Sequence, residues 1–197
     1  MSNQIKKDQT QELIKETAKK LFFVQGRFDA TTQEIADEVG VNRTLINYYF
    51  RSRDNLLQII FQDAQKVEKQ KSELIMDSDL AFKEKITKFI TNSLQTSLKY
   101  PYLETYIVSQ INKGNCQERE ISQEQLKKFY KDIEAEMEAG TIEKMEPVQF
   151  IFNMISLLVF PSAVRPLFKE NMMIDDKEFD RLIGDRKEII LNMLFKK

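Results

Sequence analysis

The chain has 197 residues, a formal charge of −1, 42% hydrophobic and 31% charged residues. That is ordinary for a globular protein built as one mid-sized domain or as a small domain joined to a larger one. Histidine is absent and there is a single cysteine, which removes the usual general base of Ser and Cys triads, the commonest nitrogen ligand for zinc, and any internal disulfide. With 5 Gly and 4 Pro against many Lys, Glu, Gln, Leu and Ile, turn formers are few and helix formers many, so an all-α chain is expected.

Neither enzymatic activity nor a cofactor or metal is expected. The densest acids, Asp132, Glu134, Glu136 and Glu138, are spaced by two and point to different sides of a helix, as on a solvated face. Cys116, unable to pair within the chain, fits a reducing cytosol, and the polar start MSNQIKKDQTQE has no signal-peptide core. A cytoplasmic protein without membrane attachment is therefore expected. The longest apolar run, Phe150 to Phe160, is about half of what a bilayer span requires.

In chain order, Leu13, Ile14, Thr17, Ala18, Leu21 and Phe22 recur at helical spacing and predict an amphipathic helix over about Thr10 to Val24, ended by Gly26. Thr31 can cap a second helix, with Glu34 in the reciprocal position of a capping box. Ile35, Ala36 and Val39 form its buried side, and Gly40 stops it. Asn42 caps a third, short helix to about Phe50, with Leu45, Ile46 and Tyr49 or Phe50 turned inward. Ser52 caps a long fourth helix from Arg53 or Asp54.

Beyond Leu56 five or six longer helices are expected. They run from Ser78 or Asp79 to before Pro101, from Tyr102 to Asn112, from Ile121 to Ala139, from Pro147 to Phe160 and from Lys177 to Phe195. The stretch FPSAVRPLFKE is expected to be irregular because of Pro161 and Pro166.

Ala36, Gly40 and Ile46 stand where a helix-turn-helix needs a small residue at the helix crossing, a turn glycine and an apolar plug. Over that motif, Val39 through Arg53 holds three Arg, two Tyr, two Asn and a Thr with no acidic residue. An element entering a DNA groove must shed carboxylates and gather donors. Asn42, Arg43, Thr44, Asn47 and Tyr48 lie away from the plug: Arg can read guanine, Asn can read adenine, and Thr can pack on a thymine methyl. Tyr48, Tyr49 and Arg53 are placed for phosphate, as are Thr32 and its backbone N–H groups.

Residues from about Thr10 to Leu57 resemble the DNA-binding domain of the tetracycline-repressor (TetR/AcrR) family of bacterial regulators, through Phe28, Ala30, TTQEIADEVGV, YYF and RSRDNLL. The resemblance implies that Thr32, Tyr48, Tyr49 and Arg53 clamp phosphates while Asn42, Arg43, Thr44 and Asn47 face bases. Two positions depart from the family pattern: Asn47 replaces a frequent Tyr, and Arg27 replaces a glycine. The implied division is an N-terminal three-helix helix-turn-helix DNA-binding domain, 1–55, and a larger C-terminal helical ligand-binding and dimerisation domain, 56–197.

Beyond Leu57 only the layout matches. It implies a homodimer built through the last two helices, a palindromic double-stranded DNA operator, and release by a small, largely apolar effector. Such regulators are most often repressors. Phe89, Tyr106, Phe129, Phe150 and Met154 are the candidate effector-lining residues. The alternatives are a DNA-binding regulator without a ligand, whose helical domain serves assembly only, and a helical carrier or interaction protein without a DNA role.

Overall fold

The computed structural model describes residues 2–114 and 122–196, with side chains from residue 8 onward. Cys116 and the expected helix start at Ile121 lie outside the described residues. Among the described residues every regular element is helical. The chain divides into two compact units, one from the N-terminus to Leu74 together with Tyr100–Leu103, the other holding Ile75–Lys99 and the chain from Glu104 onward.

In the N-terminal unit, α1 (Ser2–Lys19) starts earlier than expected and passes into a single π-helical turn, Lys20–Val24. The wider turn is marked by Gln25 N–H bonding to Lys20 O at 3.0 Å, five residues back. It lets Leu21, Phe22 and Phe23 all be buried in succession, which one stripe of an α-helix cannot do. Gly26 closes the helix at φ 70°, where a Cβ would also stand 2.9 Å from the Tyr102 ring, so glycine is required there on two counts. The helices α2 (Thr32–Val39), α3 (Arg43–Phe50) and α4 (Arg53–Met76, its last two residues assigned to the second unit) follow.

Ile35 and Ala36 of α2, Ile46 and Phe50 of α3, and Leu56, Leu57 and Ile60 of α4 are buried in this unit, as are Ile14 and Ala18 of α1. Lys15 Nζ bonds to Asp63 at 3.2 Å, joining α1 to α4. Leu45 does not turn inward: it is 37% exposed. It lies about 100° round the helix from Ile46, and only Ile46 and Phe50, four apart, share the buried stripe.

The second unit contains α5 (Phe82–Lys99), α6 (Leu103–Asn112, its first residue assigned to the N-terminal unit), α7 (Gln123–Glu138), α8 (Pro147–Ala163), α9 (Arg165–Met172), α10 (Asp176–Gly184) and α11 (Arg186–Leu194). Its core gathers Ile86, Ile90 and Leu94 of α5, Ile133 and Met137 of α7, Phe150, Met154 and Leu158 of α8, and Phe179, Ile183, Ile190 and Leu194 of α10 and α11. Phe82, Phe150 and Phe195 pack ring against ring at 5.9–6.2 Å, the offset and edge contacts that aromatic quadrupoles favour.

Three sequence-based expectations need correction here. The α5 helix starts at Phe82 rather than Ser78 or Asp79. FPSAVRPLFKE is helical except for a break at Val164, φ −110°, where α8 and α9 bend by 69°. Pro161 lies inside α8. Lacking an N–H, it cannot bond to Leu157 O, four residues back, but Arg186 Nε and Nη2 donate to that carbonyl at 3.2 and 2.9 Å. Pro166 sits in the first turn of α9, where a helix has no use for the N–H.

Lastly, the single helix expected over Lys177 to Phe195 is two, with the break at Asp185. Gly184 weakens a helix interior by roughly 1 kcal/mol relative to Ala, so the helix divides there. Among the described residues, no single helix is long and apolar enough to cross a membrane.

At the bend, Arg165 is 3% exposed. It donates to Asp176 Oδ1 and to Asp180 Oδ1, each at 2.6 Å, and lies 4.6 Å from the Phe179 ring centroid. Lys169 reaches Asp176 at 2.7 Å. Hydrogen bonds from Lys169 and then Arg165 hold the Asp176 carboxyl below its usual range, and the start of α9 is thereby fastened to α10.

Candidate nucleic-acid interface

The motif and the helix after it are held by four caps. Thr31 accepts from Glu34 N–H at 3.2 Å while its own N–H donates to Glu34 Oε2 at 2.8 Å, the reciprocal pair that starts α2. These hydrogen bonds from Thr31, followed by pairing with Arg27, lower the Glu34 pKa. Gly40 ends α2 at φ 77°, ψ 35°, and Val41 N–H returns to Ala36 O at 3.0 Å, the left-handed stop that glycine permits. Asn42 caps α3, accepting from Thr44 N–H at 2.8 Å. Ser52 Oγ accepts from Asn55 N–H at 3.1 Å and starts α4.

With Ile46 and Phe50 inward, Thr44 and Tyr48 lie at the middle of the outer face of α3. Arg43, Thr44, Asn47 and Tyr48 are all exposed. Tyr48 is 65% exposed and meets the Tyr49 ring edge-on at 5.3 Å; Tyr49 is half-buried beside Phe50. Asn42 is exposed, but its carbonyl oxygen is occupied by the cap, leaving its amide N–H₂ for any outside contact. Thr32 is half-buried at the first position of α2.

Arg53 is differently placed. Its Nε donates to Ala30 O at 2.7 Å, its Nη1 to Asp54 at 2.7 Å, and its guanidinium lies 5.4 Å from the Phe22 ring centroid. It therefore ties the start of α4 to the loop before α2. Arg43 is exposed and has no side-chain partner among the described residues; the same holds for Arg51. Arg51 is not among the residues that the sequence assigned to DNA. It stands in the acid-free window, but its setting depends on a backbone turn that residue types do not disclose.

The candidate effector-lining residues are less exposed to any ligand. Phe150 and Met154 are in the core, with Phe89 and Phe129 packed against it; Phe129 stands 5.8 Å from Phe82. Tyr106 is half-buried on α6.

Two short helices joined by a glycine turn, packed with a longer first helix, the second of the two free of acidic residues, define a helix-turn-helix protein. Residues 14–60 match the family model described as bacterial regulatory proteins, tetR family. That segment belongs to the tetR family, and the whole chain has the fold of its members.

Among solved structures, the chain is similar to a mutant form of HlyIIR at 24% identity, covering 96% of this chain and 99% of that one, with a TM-score of 0.65. It is similar to a TetR/AcrR-family transcriptional regulator of Thermobifida fusca at 16% identity, 94% and 97% coverage and TM-score 0.59. A TetR-family regulator of Marinobacter aquaeolei aligns over 100% of both chains at 11% identity, with a TM-score of 0.58. No curated protein sequence matches this one.

Proposed function

We propose that this protein is a sequence-specific transcriptional regulator, acting as a repressor, that reads an inverted repeat in double-stranded DNA as a homodimer. The observation that carries the reading is the outer face of α3, where Arg43, Thr44, Asn47 and Tyr48 are exposed together without a carboxylate. One recognition helix is too little for tight specific binding, so two copies related by a two-fold axis place one helix in each of two successive major grooves. Arg43, Thr44 and Asn47, with the amide of Asn42, face bases; Thr32, Tyr48 and Tyr49 contact phosphates. Arg53 supports the clamp by holding the loop beneath it.

The dimer forms through α8 and the α10–α11 pair. Support comes from exposed apolar residues on these helices: Phe152 (58%), Phe160 (56%) and Met193 (65%), joined with Ile155 and Ile189 in a surface that a two-fold mate would cover. A small, mostly apolar effector releases DNA by binding better to a conformer whose recognition helices no longer fit successive grooves. The competing reading, a regulator whose helical unit serves assembly only, is favoured by one observation: Phe150 and Met154 are used as core.

Selection of duplexes from a random-sequence pool, followed by mobility-shift titration against scrambled duplex, tests the central claim. No preference for an inverted repeat sinks it. Calorimetry of a candidate effector with and without saturating duplex separates the two readings, since linkage requires DNA and effector to weaken each other equally. Equal effector affinity in both titrations leaves the assembly-only reading.

A further inference from the structure

The segment between α3 and α4 is strained, and the strain falls on a charged residue. Arg51 adopts φ 63°, ψ −43°, in the positive-φ region that L side chains rarely enter. Ser52 N–H bonds back to Phe50 O at 2.7 Å across it, making Arg51 the centre of a three-residue γ-turn of the rarer, positive-φ kind.

The surroundings hold that turn from every side. Arg51 N–H bonds to Asn47 O at 2.9 Å, and Asn55 Nδ2 donates to Phe50 O at 2.9 Å. Phe50 is fully buried and anchors the carbonyl. Glycine would occupy this φ without a Cβ penalty, yet the position carries an exposed arginine with no side-chain partner among the described residues. Strain kept in place by a network of this kind points from the outlier to a use for it.

We infer that Arg51 is a sequence-independent contact to a DNA backbone phosphate, aimed by the γ-turn, and that it adds an ionic contact beside Arg53, whose Nε and Nη1 are engaged by Ala30 and Asp54. The inference rests on the DNA-binding reading above. Arg51 N–H sits on the carbonyl of Asn47, so its side chain leaves the backbone beside the last exposed turn of α3. A guanidinium there carries its full charge outward because no carboxylate neutralises it, whereas Arg53 carries Asp54 with it. A phosphate contact fixes register on the duplex and contributes nothing to base choice.

The test uses full-length protein and a duplex that the wild type selects from a random-sequence pool, titrated by fluorescence anisotropy at several salt concentrations. Arg51→Gly should melt at the same temperature or up to about 4 °C higher, because glycine relieves the turn. It should bind the selected duplex roughly 10-fold more weakly, with a log–log salt slope shallower by about 2, because one phosphate in each half-site is no longer neutralised. Relative affinity for single-base variants of the duplex should stay the same. Arg51→Lys should keep the wild-type salt slope, and Arg51→Gln should lose it as glycine does.

An Arg51→Gly protein that folds and binds with the wild-type slope overturns the inference while leaving the regulator reading intact. So does a weakened variant whose slope is unchanged, or one whose base preference is altered. A pool from which the wild type selects no duplex overturns both readings together.

Discussion

Replacing Arg186 by methionine should cost stability chiefly because Pro161 is present. Pro161 leaves Leu157 O without its helical donor, and the guanidinium of Arg186 supplies two N–H groups to that oxygen. Burial alone lowers the Arg186 pKa, so removing the side chain both abolishes a charge-assisted hydrogen bond and relieves a desolvated charge. A hydrogen bond to a charged group contributes about 1.5–3 kcal/mol net. The half-buried setting lets water replace part of it, which brings the expected loss for Arg186→Met to about 1–2 kcal/mol, or roughly 2–8 °C in Tm for a chain of this size.

In the background Pro161→Ala, the alanine N–H takes the Leu157 carbonyl, and the same Arg186→Met change should cost about 0.5 kcal/mol or less. The coupling is then about 1 kcal/mol, above the roughly 0.3–0.5 kcal/mol scatter of independent sites. Urea and thermal unfolding followed by circular dichroism, at one fixed protein concentration because the proposed dimer makes Tm concentration-dependent, measure all four proteins. Equal costs in the two backgrounds would refute the idea that Arg186 substitutes for the missing helical donor.

Arg43→Ala should weaken binding to a selected inverted repeat by roughly 1–3 kcal/mol and relax base preference at one position in each half-site; unchanged discrimination among single-base variants removes Arg43 from base reading. Phe152→Glu combined with Met193→Glu should give a monomer of 23.3 kDa in light scattering, with weakened operator binding, whereas Leu194→Glu should unfold the chain because Leu194 is in the core. A double variant that still scatters as a dimer places the interface elsewhere. Asp176 has a folded pKa below its unfolded value, so its ion pairs stabilise the protein fully above pH about 4 and are lost as pH falls through the lower folded value. The Tm gap between wild type and Asp176→Asn should therefore close on acidification below pH about 4, and a gap constant to pH about 2 contradicts it.

The helix-turn-helix was legible because its signals are local. Thr31 with Glu34, Gly40, Asn42 and Ser52 each act on backbone within a few residues, and the predicted caps are the observed ones. The C-terminal helices were less legible because their exceptions depend on distant partners. Pro161 reads as a helix breaker until Arg186, 25 positions later, is seen to satisfy Leu157 O. The Gly184-Asp185 break was open to a propensity argument, yet the continuous apolar spacing around it favoured one helix. Leu45 was expected inward and is exposed, because Leu45 and Ile46 are adjacent and only packing decides which of two neighbours faces inward.

The arginines show the same limit and bear directly on how strongly the protein binds. The acid-free window contributes Arg43, Arg51 and Arg53 with equal formal charge, which in a dimer suggests six cations for phosphates and bases. Arg53 is committed to Ala30 O and Asp54, much as Arg165 is committed to Asp176 and Asp180 and Arg186 to Leu157 O. Arg43 and Arg51 have no side-chain partner among the described residues, whereas Arg53 is engaged through its Nε and Nη1. With Arg43 assigned to a base and Arg51 to a phosphate, at about 0.9 counterions released per phosphate neutralised the window contributes roughly −1.8 to the log–log salt slope of the dimer. Arg53 still matters to DNA binding, but through the loop it holds: without it the start of α2, and the N–H groups it presents, lose their tie to α4. Loss of Arg53 is therefore expected to appear as a lower Tm and weaker binding at every salt concentration, with the slope itself little changed.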